Sequence, residues 1–211
     1  MILARGISFS YKGAQQIQIP EIELNEHDEL LVLGKSGSGK TTLLNILGGL
    51  LKPQQGTVKI DQTDIYQLRG AKLDKFRGAN IGIVFQKPHI LAPLTVEENL
   101  ALAQFFSRKE KSATIDKILH DLGIGHKKKA KVNALSEGEA QRVSIARALV
   151  NNPKVILADE PTASLDDANA EMVIKMLKEQ AHKMGSVLII VTHDQRVKEH
   201  VGKQIIMGGE L

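Results

Sequence analysis

The sequence has 211 residues, of which 42% are hydrophobic and 25% are charged, so it can form a substantial core and is not expected to be disordered. Cysteine is absent, which excludes disulfides and thiolate metal sites, and no apolar run approaches the roughly 18 residues of a membrane helix. The formal net charge is +4, but aromatic residues make up only 3% of the chain, so we expect no nucleic acid as a partner.

The first part of the chain has the pattern of a β-rich segment. Alternating and apolar stretches bounded by turn residues predict strands at residues 2–11, 16–24 and 29–33. A glycine-rich loop then leads into a helix over residues 40–51, which Pro53 and Gly56 end. Further strands are predicted at residues 57–60 and 81–85.

Residues 88–150 carry a helical pattern. The spacing of Thr95 and Glu98 predicts a capping box for a helix that reaches about Phe106, and a second helix is predicted from Ala113 to Leu122. Between this helix and the next lies a basic run, Lys127, Lys128, Lys129 and Lys131, which we expect to be a solvated loop.

A third helix of this segment is predicted to begin at Ser136, because Ser136 and Glu139 have the spacing of another capping box. Strand patterns return at residues 155–158 and 187–192. A helix is predicted between them at residues 167–184, ending at Gly185.

Strands that alternate with helices on both sides of a helical insert predict an α/β fold with a mostly parallel, helix-covered sheet. We expect one domain over residues 1–211, in which residues 1–87 and 151–211 form the β-rich catalytic core and about 88–150 a helical subdomain. Ligands of such sheets bind at the carboxyl ends of strands. Functional residues are therefore expected directly after Leu33, Phe85, Ala158 and Val191.

The segment GKSGSGKT at residues 34–41 follows the first of these strands and matches G-x-x-x-x-G-K-[ST] in full. Its glycines let the backbone curl so that successive amides point at phosphate oxygens, and the following helix adds its positive N-terminus. Lys40 can reach β- and γ-phosphates, and the hydroxyl of Thr41 can bind Mg²⁺.

Adjacent carboxylates follow the strand at residues 155–158. Asp159 is expected to hold the metal through water, and Glu160 to polarise the attacking water as a general base. Together with the phosphate loop, this pair predicts a nucleotide site.

With these motifs the chain resembles the ATP-binding subunit of ABC transporters over essentially its whole length. Residues 34–41 resemble the Walker A loop, and residues 155–160 resemble Walker B with its catalytic glutamate. The resemblance implies a P-loop NTPase of RecA-like topology, with a parallel sheet core, an N-terminal antiparallel β subdomain and a helical signature-motif subdomain. It also implies ATP hydrolysis with ATP and Mg²⁺ as ligands.

Further residues match family motifs in order. Gln86 resembles the Q-loop glutamine that contacts Mg²⁺, Ser164 to Asp166 resemble the D-loop, and His193 resembles the switch histidine at the γ-phosphate. Tyr11 is placed where the family stacks an aromatic ring on adenine. The implied catalytic residues are Glu160, His193, Lys40 and Gln86, and the implied Mg²⁺ ligands are Thr41, Gln86 and Asp159. The implied ATP-binding residues are Tyr11, Gly34, Lys35, Ser36, Gly37, Ser38, Gly39, Lys40, Thr41 and Thr42.

The segment LSEGE at residues 135–139 resembles the signature motif LSGGQ, whose helix N-terminus faces the γ-phosphate bound to another subunit. The resemblance implies a homodimer that encloses ATP, with Ser136, Gly138, Glu139 and Asp166 contacting the nucleotide of the partner copy. Glu137 departs from the family's glycine. Two like charges ~6 Å apart repel by about 3 kcal/mol at a dielectric constant of 20. We therefore expect Glu137 to point away from the nucleotide.

The short chain and the segment that follows Gln86 resemble the branch of lipoprotein-releasing, macrolide-exporting and cell-division ATPases. This implies a cytoplasmic protein on the inner face of the cell membrane, bound there through a membrane permease-type subunit that contacts about residues 87–106. Either an apolar groove for that subunit or ordinary packing within the helical subdomain is expected for four residues of this stretch, His89, Ile90, Leu91 and Leu94.

Two other functions are weighed against transport. A cell-division-type ATPase would signal through its membrane partner without moving cargo. A soluble ABC ATPase associated with nucleic acid is less favoured, because such proteins usually carry coiled-coil insertions, zinc modules or fused cassettes, and the sequence has none of these.

Overall fold

The computed structural model describes residues 1–13, 16–107, 114–163 and 165–208, and within these residues the protein forms two five-stranded sheets and six α-helices. In chain order the strands are β1 (Ile2–Phe9), β2 (Ile17–Gln18), β3 (Ile22–Leu24), β4 (Glu29–Leu33), β5 (Gln55–Ile60), β6 (Thr63–Asp64), β7 (Ile81–Val84), β8 (Val155–Asp159), β9 (Val187–Thr192) and β10 (Gln204–Ile206). The helices are α1 (Lys40–Leu47), α2 (Ala71–Asn80), α3 (Val96–Ser107), α4 (Thr114–Asp121), α5 (Glu137–Leu149) and α6 (Asp167–Met184). Short 3-10 helices lie at Ile65–Gln67, Gly125–Lys127, Val132–Ala134 and Gln195–His200.

The first sheet is antiparallel and is built around β1, which pairs with β2, β3 and β5. The register between β1 and β5 shifts between Arg5 and Ser8, so the pairing of these two strands contains a β-bulge. Gly56 lies at the bulge with a φ of +92°, and a Cβ there would lie 2.6 Å from the carbonyl oxygen of Arg5. Only glycine fits that approach.

The second sheet is wholly parallel, with strand order β10-β4-β9-β8-β7. Its inner strands β4, β8 and β9 are almost continuously apolar because both of their faces are covered. In β4, Leu31 and Leu33 pack into one core with α3 to α6, whereas Leu30 and Val32 pack into another with α1 and the antiparallel sheet. The predicted α/β fold, with its parallel core, antiparallel sheet and helical insert, is therefore confirmed.

Several predicted elements differ in detail. The strand predicted at residues 16–24 is two short strands, because Pro20 lies between them and has no amide hydrogen for a sheet. The helix predicted to reach residue 51 ends at Leu47, before Gly48 and Gly49. Helix α2 was not predicted, because only Leu73 and Phe76 of its residues pack partly against the core and its apolar periodicity is therefore weak.

Helices α3, α4 and α5 fill the predicted helical segment; Ala113, where the second of them was predicted to begin, lies outside the described residues. The four lysines lie between α4 and α5, where Lys129 and Lys131 are exposed as expected for a solvated loop, and their ammonium groups also bind residues of α3, α4 and α5 and the loop before α3. Lys127 pairs with Glu139 at 3.1 Å, and Lys128 with Asp116 at 2.6 Å. Lys129 pairs with Glu97, and Lys131 donates to the Pro93 carbonyl oxygen at 2.8 Å. None of the described helices has the length and apolar character needed to cross a bilayer.

Candidate active site

The carboxyl ends of β4, β7, β8 and β9 open into one cleft of about 1020 Å³. This is the edge at which parallel sheets bind ligands. The cleft contains residues predicted for the site from five separate segments. Its lining includes Tyr11, Lys35, Ser36, Gly37, Ser38, Gly39, Lys40, Thr41, Thr42, Gln86, Glu160 and His193.

The phosphate loop takes its shape from its glycines. Gly37 and Gly39 have φ values of +82° and +94°, which side chains strongly disfavour. A Cβ on Gly34 would lie 2.5 Å from the Ser38 hydroxyl and 2.7 Å from the Met207 carbonyl oxygen. Helix α1 begins at Lys40 without a side-chain cap at Gly39, so the first turn presents its amides and its positive end toward the cleft.

Lys40 is nearly buried within this loop. Its Nζ donates to the carbonyl oxygens of Gly34, at 2.7 Å, and Lys35, at 3.0 Å. The same Nζ lies 3.9 Å from Oε1 of Glu160. The loop thus holds a positive charge in the middle of the cleft.

Asp159 ends β8 and is 9% exposed. Burial raises the pKa of its carboxyl, as does Glu160 beside it, while a hydrogen bond from Thr41 and the charge of Lys40 oppose that shift. The Thr41 hydroxyl donates to Oδ1 of Asp159 at 3.4 Å. Gln86 lines the same cleft.

These oxygens are of the hard type that Mg²⁺ prefers, and a cation would relieve the cost of a buried carboxylate. Among the described residues no group of three His, Cys, Asp or Glu side chains could hold a metal. A metal here would therefore need ligands from water and phosphate besides Thr41, Gln86 and Asp159. The residues fit Mg²⁺, which usually keeps such ligands.

Glu160 has an unusual backbone and a well-held side chain. Its φ of +46° is strained for a residue with a Cβ, and such strain clusters at functional sites. Its carboxylate accepts the Thr192 hydroxyl at 2.7 Å and the His193 amide at 3.2 Å. Nδ1 of His193 lies 2.8 Å from Oε1 of Glu160. The end of β9 therefore orients both side chains.

Tyr11 lies on the rim of the cleft, 51% exposed. Its ring meets Phe9 edge-on, with centroids 4.9 Å apart, and its hydroxyl lies 3.3 Å from the hydroxyl of Thr42. These contacts hold one edge of the ring and leave area for a flat ligand to stack on.

The predicted capping box of α5 is confirmed. The Glu139 amide donates to the Ser136 hydroxyl at 3.3 Å, and the Ser136 amide donates to Glu139 at 2.8 Å. That amide, with Lys127, lowers the pKa of Glu139. Glu137 is exposed, and a Cβ on Gly138 would meet no atom of the described chain within 4 Å.

Asp166 caps α6 by accepting the Asn169 amide at 2.9 Å, and Ser164 lies outside the described residues. Within the described chain, the residues assigned to the partner's nucleotide do not line the cleft. They are Ser136, Gly138, Glu139 and Asp166.

Three site elements were not predicted: residues 16–18, which line the cleft, the segment at residues 207–208, and Thr192. Met207 follows β10 and donates its amide to the Leu33 carbonyl oxygen at 2.8 Å, and Gly208 follows with a φ of +83°. A Cβ on Gly208 would lie 2.8 Å from Cβ of Ser38, so this segment packs on the phosphate loop. In the sequence, the role of Gly208 is indicated only by its position directly after an apolar run.

The residues expected to form an apolar groove are divided between core and surface. Ile90 packs against the helical core, whereas Leu91 is 46% exposed. The Leu91 amide donates at 2.9 Å to Asn99, which is buried. A groove at His89, Ile90, Leu91 and Leu94 therefore stays a prediction.

Comparisons with known proteins agree with this geometry. The family model described as ABC transporter matches residues 17–163. The lipoprotein-releasing system ATP-binding protein LolD of Bacteroides thetaiotaomicron is 39% identical over 210 residues, covering 98% of this chain and 96% of that protein. LolD of Shewanella frigidimarina is 39% identical over 190 residues, covering 89% and 80%. The dimeric structure of MJ0796, a bacterial ABC transporter cassette, matches with a TM-score of 0.87 at 35% identity, covering 98% of this chain and 94% of its own.

Proposed function

The chain belongs to the ABC transporter ATP-binding family, and from this premise we propose that it drives a separate membrane subunit of the lipoprotein-releasing type. As a member of that family it binds ATP and is an ATPase that converts ATP and water to ADP and phosphate. The observation that carries the ATP-hydrolysing part of the proposal is the meeting of the phosphate loop, Glu160 and His193 in one cleft at the carboxyl edge of the parallel sheet.

We assign the phosphates of ATP to the loop of residues 34–42 and adenine to the exposed ring of Tyr11. The buried ammonium of Lys40 and the amides at the start of α1 support the first assignment, because both favour negative charge. Stacking on Tyr11 is supported by the half-exposed ring at the cleft rim.

Mg²⁺ is assigned to Thr41, Gln86 and Asp159. The hydrogen bond between Thr41 and Asp159 and the buried position of Asp159 support this assignment. When bound, the ion would neutralise charge on the β- and γ-phosphates. The protein's own part is to hold the hydroxyl and the carboxylate side by side.

Glu160 is assigned as the general base that accepts a proton from the attacking water. Thr192 and the His193 amide fix the direction of its carboxylate. The carboxylate therefore does not have to reorient before it accepts the proton. His193 is assigned to the γ-phosphate; its Nδ1 faces Glu160, and its ring is mostly exposed to the cleft.

A second copy is proposed to complete each site. The residues assigned to the partner's nucleotide do not line the cleft of their own chain; they are Ser136, Gly138, Glu139 and Asp166. The N-terminus of α5 is exposed at Ser136 and Glu137. The positive end of a helix favours an anion, so a partner's γ-phosphate is a suitable ligand for it. Glu137 is proposed to point away from that phosphate.

The membrane subunit is proposed to bind about residues 87–106, which would place the protein on the cytoplasmic face of the cell membrane. Leu91, Phe105 and Phe106 support this proposal, because they are 46%, 74% and 65% exposed within that stretch. The lipoprotein-releasing assignment rests on the likeness to LolD proteins.

The shared site can be tested with Ser136→Arg in the full chain, using a non-hydrolysable ATP analogue and sedimentation analysis. We expect the wild type to form dimers with the analogue, whereas Ser136→Arg binds nucleotide as a monomer and does not hydrolyse ATP. Glu21→Arg, a matched change at the exposed residue directly before β3, should dimerise normally. Unaltered dimerisation of Ser136→Arg would contradict the shared site.

The transport role can be tested by reconstituting the chain with its membrane subunit in vesicles that carry a lipoprotein. ATP-dependent release of the lipoprotein supports the proposal. ATPase stimulation by the membrane subunit without any release would instead indicate a signalling ATPase of the cell-division type.

A further inference from the structure

Arg196 forms an ion pair with Asp194, one residue beyond His193. Its Nε donates to Oδ1 of Asp194 at 2.8 Å, and its Nη2 donates to Oδ2 at 2.7 Å. The Asp194 side chain is only 11% exposed, and its Oδ2 also accepts the Thr162 hydroxyl at 3.0 Å. This two-point geometry is the strongest that arginine makes with a carboxylate.

The third nitrogen of the same guanidinium reaches a different element. Nη1 of Arg196 pairs with Asp167, the first residue of α6. Asp167 follows Asp166, the helix cap assigned to the partner's nucleotide. A single side chain therefore joins the loop that carries His193 to the helix that carries Asp166.

The other end of this network reaches the assigned base. The Asp194 amide donates to the Thr192 hydroxyl oxygen at 2.9 Å, and that hydroxyl donates to Glu160 at 2.7 Å. The Glu160 carboxylate is therefore connected through Thr192, the backbone amide of Asp194 and the Asp194 carboxylate to Arg196 and α6.

We propose that Arg196 is a positioning residue for ATP hydrolysis, which keeps the loop bearing His193 in a fixed place relative to the start of α6. Glu160 and His193 of one site and Asp166 of the neighbouring site then move as one unit. This inference rests on the proposed roles of Glu160, His193 and Asp166.

The solvent exposure of Asp167 and Asp194 indicates whether Arg196 contributes more to folding stability or to turnover. Asp167 is 90% exposed, and such surface pairs contribute little to folding stability. Asp194 is shielded, and Arg196 lowers its pKa to about 2, so the pair stays charged at neutral pH. Small displacements of catalytic groups, in contrast, lower rates strongly. Loss of Arg196 should therefore reduce turnover more than folding.

The test compares Arg196→Gln, Arg196→Lys and Asp167→Asn in the full chain by steady-state ATP hydrolysis. We expect Arg196→Gln to lower kcat by about tenfold with KM for ATP within about twofold, because positioning is lost and binding is kept. Arg196→Lys should recover only part of kcat, since lysine keeps the charge but lacks the fork. Asp167→Asn should lower kcat by roughly threefold, and adding it to Arg196→Gln should cost nothing further.

Arg5→Gln serves as the matched control, because Arg5 forms an exposed pair with Glu23 at 3.0 Å on the antiparallel sheet. It should hydrolyse ATP as the wild type does. A wild-type kcat in Arg196→Gln, or a loss that only follows its folded fraction, would overturn the proposal. If Arg196→Gln does not fold, wild-type turnover in Asp167→Asn overturns it and a lowered kcat supports it.

Glu160→Gln, assayed beside these variants, separates this inference from the proposed function. If Glu160→Gln hydrolyses ATP normally, the assigned roles fail, and the inference fails with them. If Glu160→Gln is inactive while Arg196→Gln is normal, only the positioning role of Arg196 is wrong.

Discussion

Nζ of Lys40 lies 3.9 Å from Oε1 of Glu160, and both side chains are nearly buried, at 7% and 11% exposure. The ammonium does not depend on this carboxylate alone, because it also donates to the carbonyl oxygens of Gly34 and Lys35. Neutralising Glu160 should therefore leave the phosphate loop and its lysine in place.

Glu160→Gln should accordingly separate binding from chemistry. We expect ATP affinity within about threefold of the wild type, and turnover lower by about 10²- to 10⁴-fold because the general base is lost. ATP-bound dimers should accumulate. Equilibrium binding, phosphate release and sedimentation measure the three quantities; normal hydrolysis would refute Glu160 as the base.

Tyr11 is expected to contribute to affinity through its ring. Tyr11→Ala should weaken ATP binding by about tenfold, since stacking of a base on an aromatic ring contributes about 1–3 kcal/mol. Tyr11→Phe should bind within about twofold of the wild type, because the contact to Thr42 is long at 3.3 Å and only the hydroxyl is lost. Equal binding by Tyr11→Ala, measured by calorimetry, would argue against stacking.

Gly34→Ala should deform the phosphate loop. Its Cβ would lie 2.5 Å from the Ser38 hydroxyl and 2.7 Å from the Met207 carbonyl oxygen, and such overpacking typically costs about 1–3 kcal/mol. We expect ATP affinity to fall at least about tenfold, because loop amides are displaced. Gly202→Ala is the control: its Cβ meets no described atom within 4 Å, so thermal unfolding and ATP binding should be unchanged.

Asp194 should make stability depend on pH. Arg196 lowers its folded-state pKa to about 2 from 3.8, so the contribution of Asp194 is complete above pH 4 and is lost as the pH falls toward 2. Asp194→Asn should lower the free energy of unfolding by about 1 kcal/mol at pH 7, after allowance for solvent screening. The difference should shrink when urea unfolding is repeated near pH 3. A difference in the free energy of unfolding between Asp194→Asn and the wild type that is the same at both pH values would contradict this prediction. Asp74→Asn, at an exposed carboxylate of α2, should change little at either pH.

The parts of the site that could be predicted are those carried by short stretches of sequence. The buried strand before Asp159 reads as a continuous apolar run, and the phosphate loop carries its own glycines. In both cases a few consecutive residues are enough to predict where the strand ends and which functional residues follow it. The capping box at Ser136 was predictable for the same reason.

The parts that escaped prediction depend on distant partners. The three residues of β10 become a strand only by pairing with β4, far earlier in the chain. Arg196 meets Asp167 across 29 positions, and nothing in the segment around Arg196 specifies that contact. The helix α2 was missed because it contacts the core through only two partly buried apolar side chains, Leu73 and Phe76, which give a weak apolar periodicity.

Tyr11 and Gly208 line the same cleft, although almost the whole chain separates them. A ribosome releases the chain from its beginning, so the first residues of the cleft emerge long before Gly208 can support the loop at Ser38. Tight retention of ATP should therefore begin only after β10 has been synthesised and inserted beside β4.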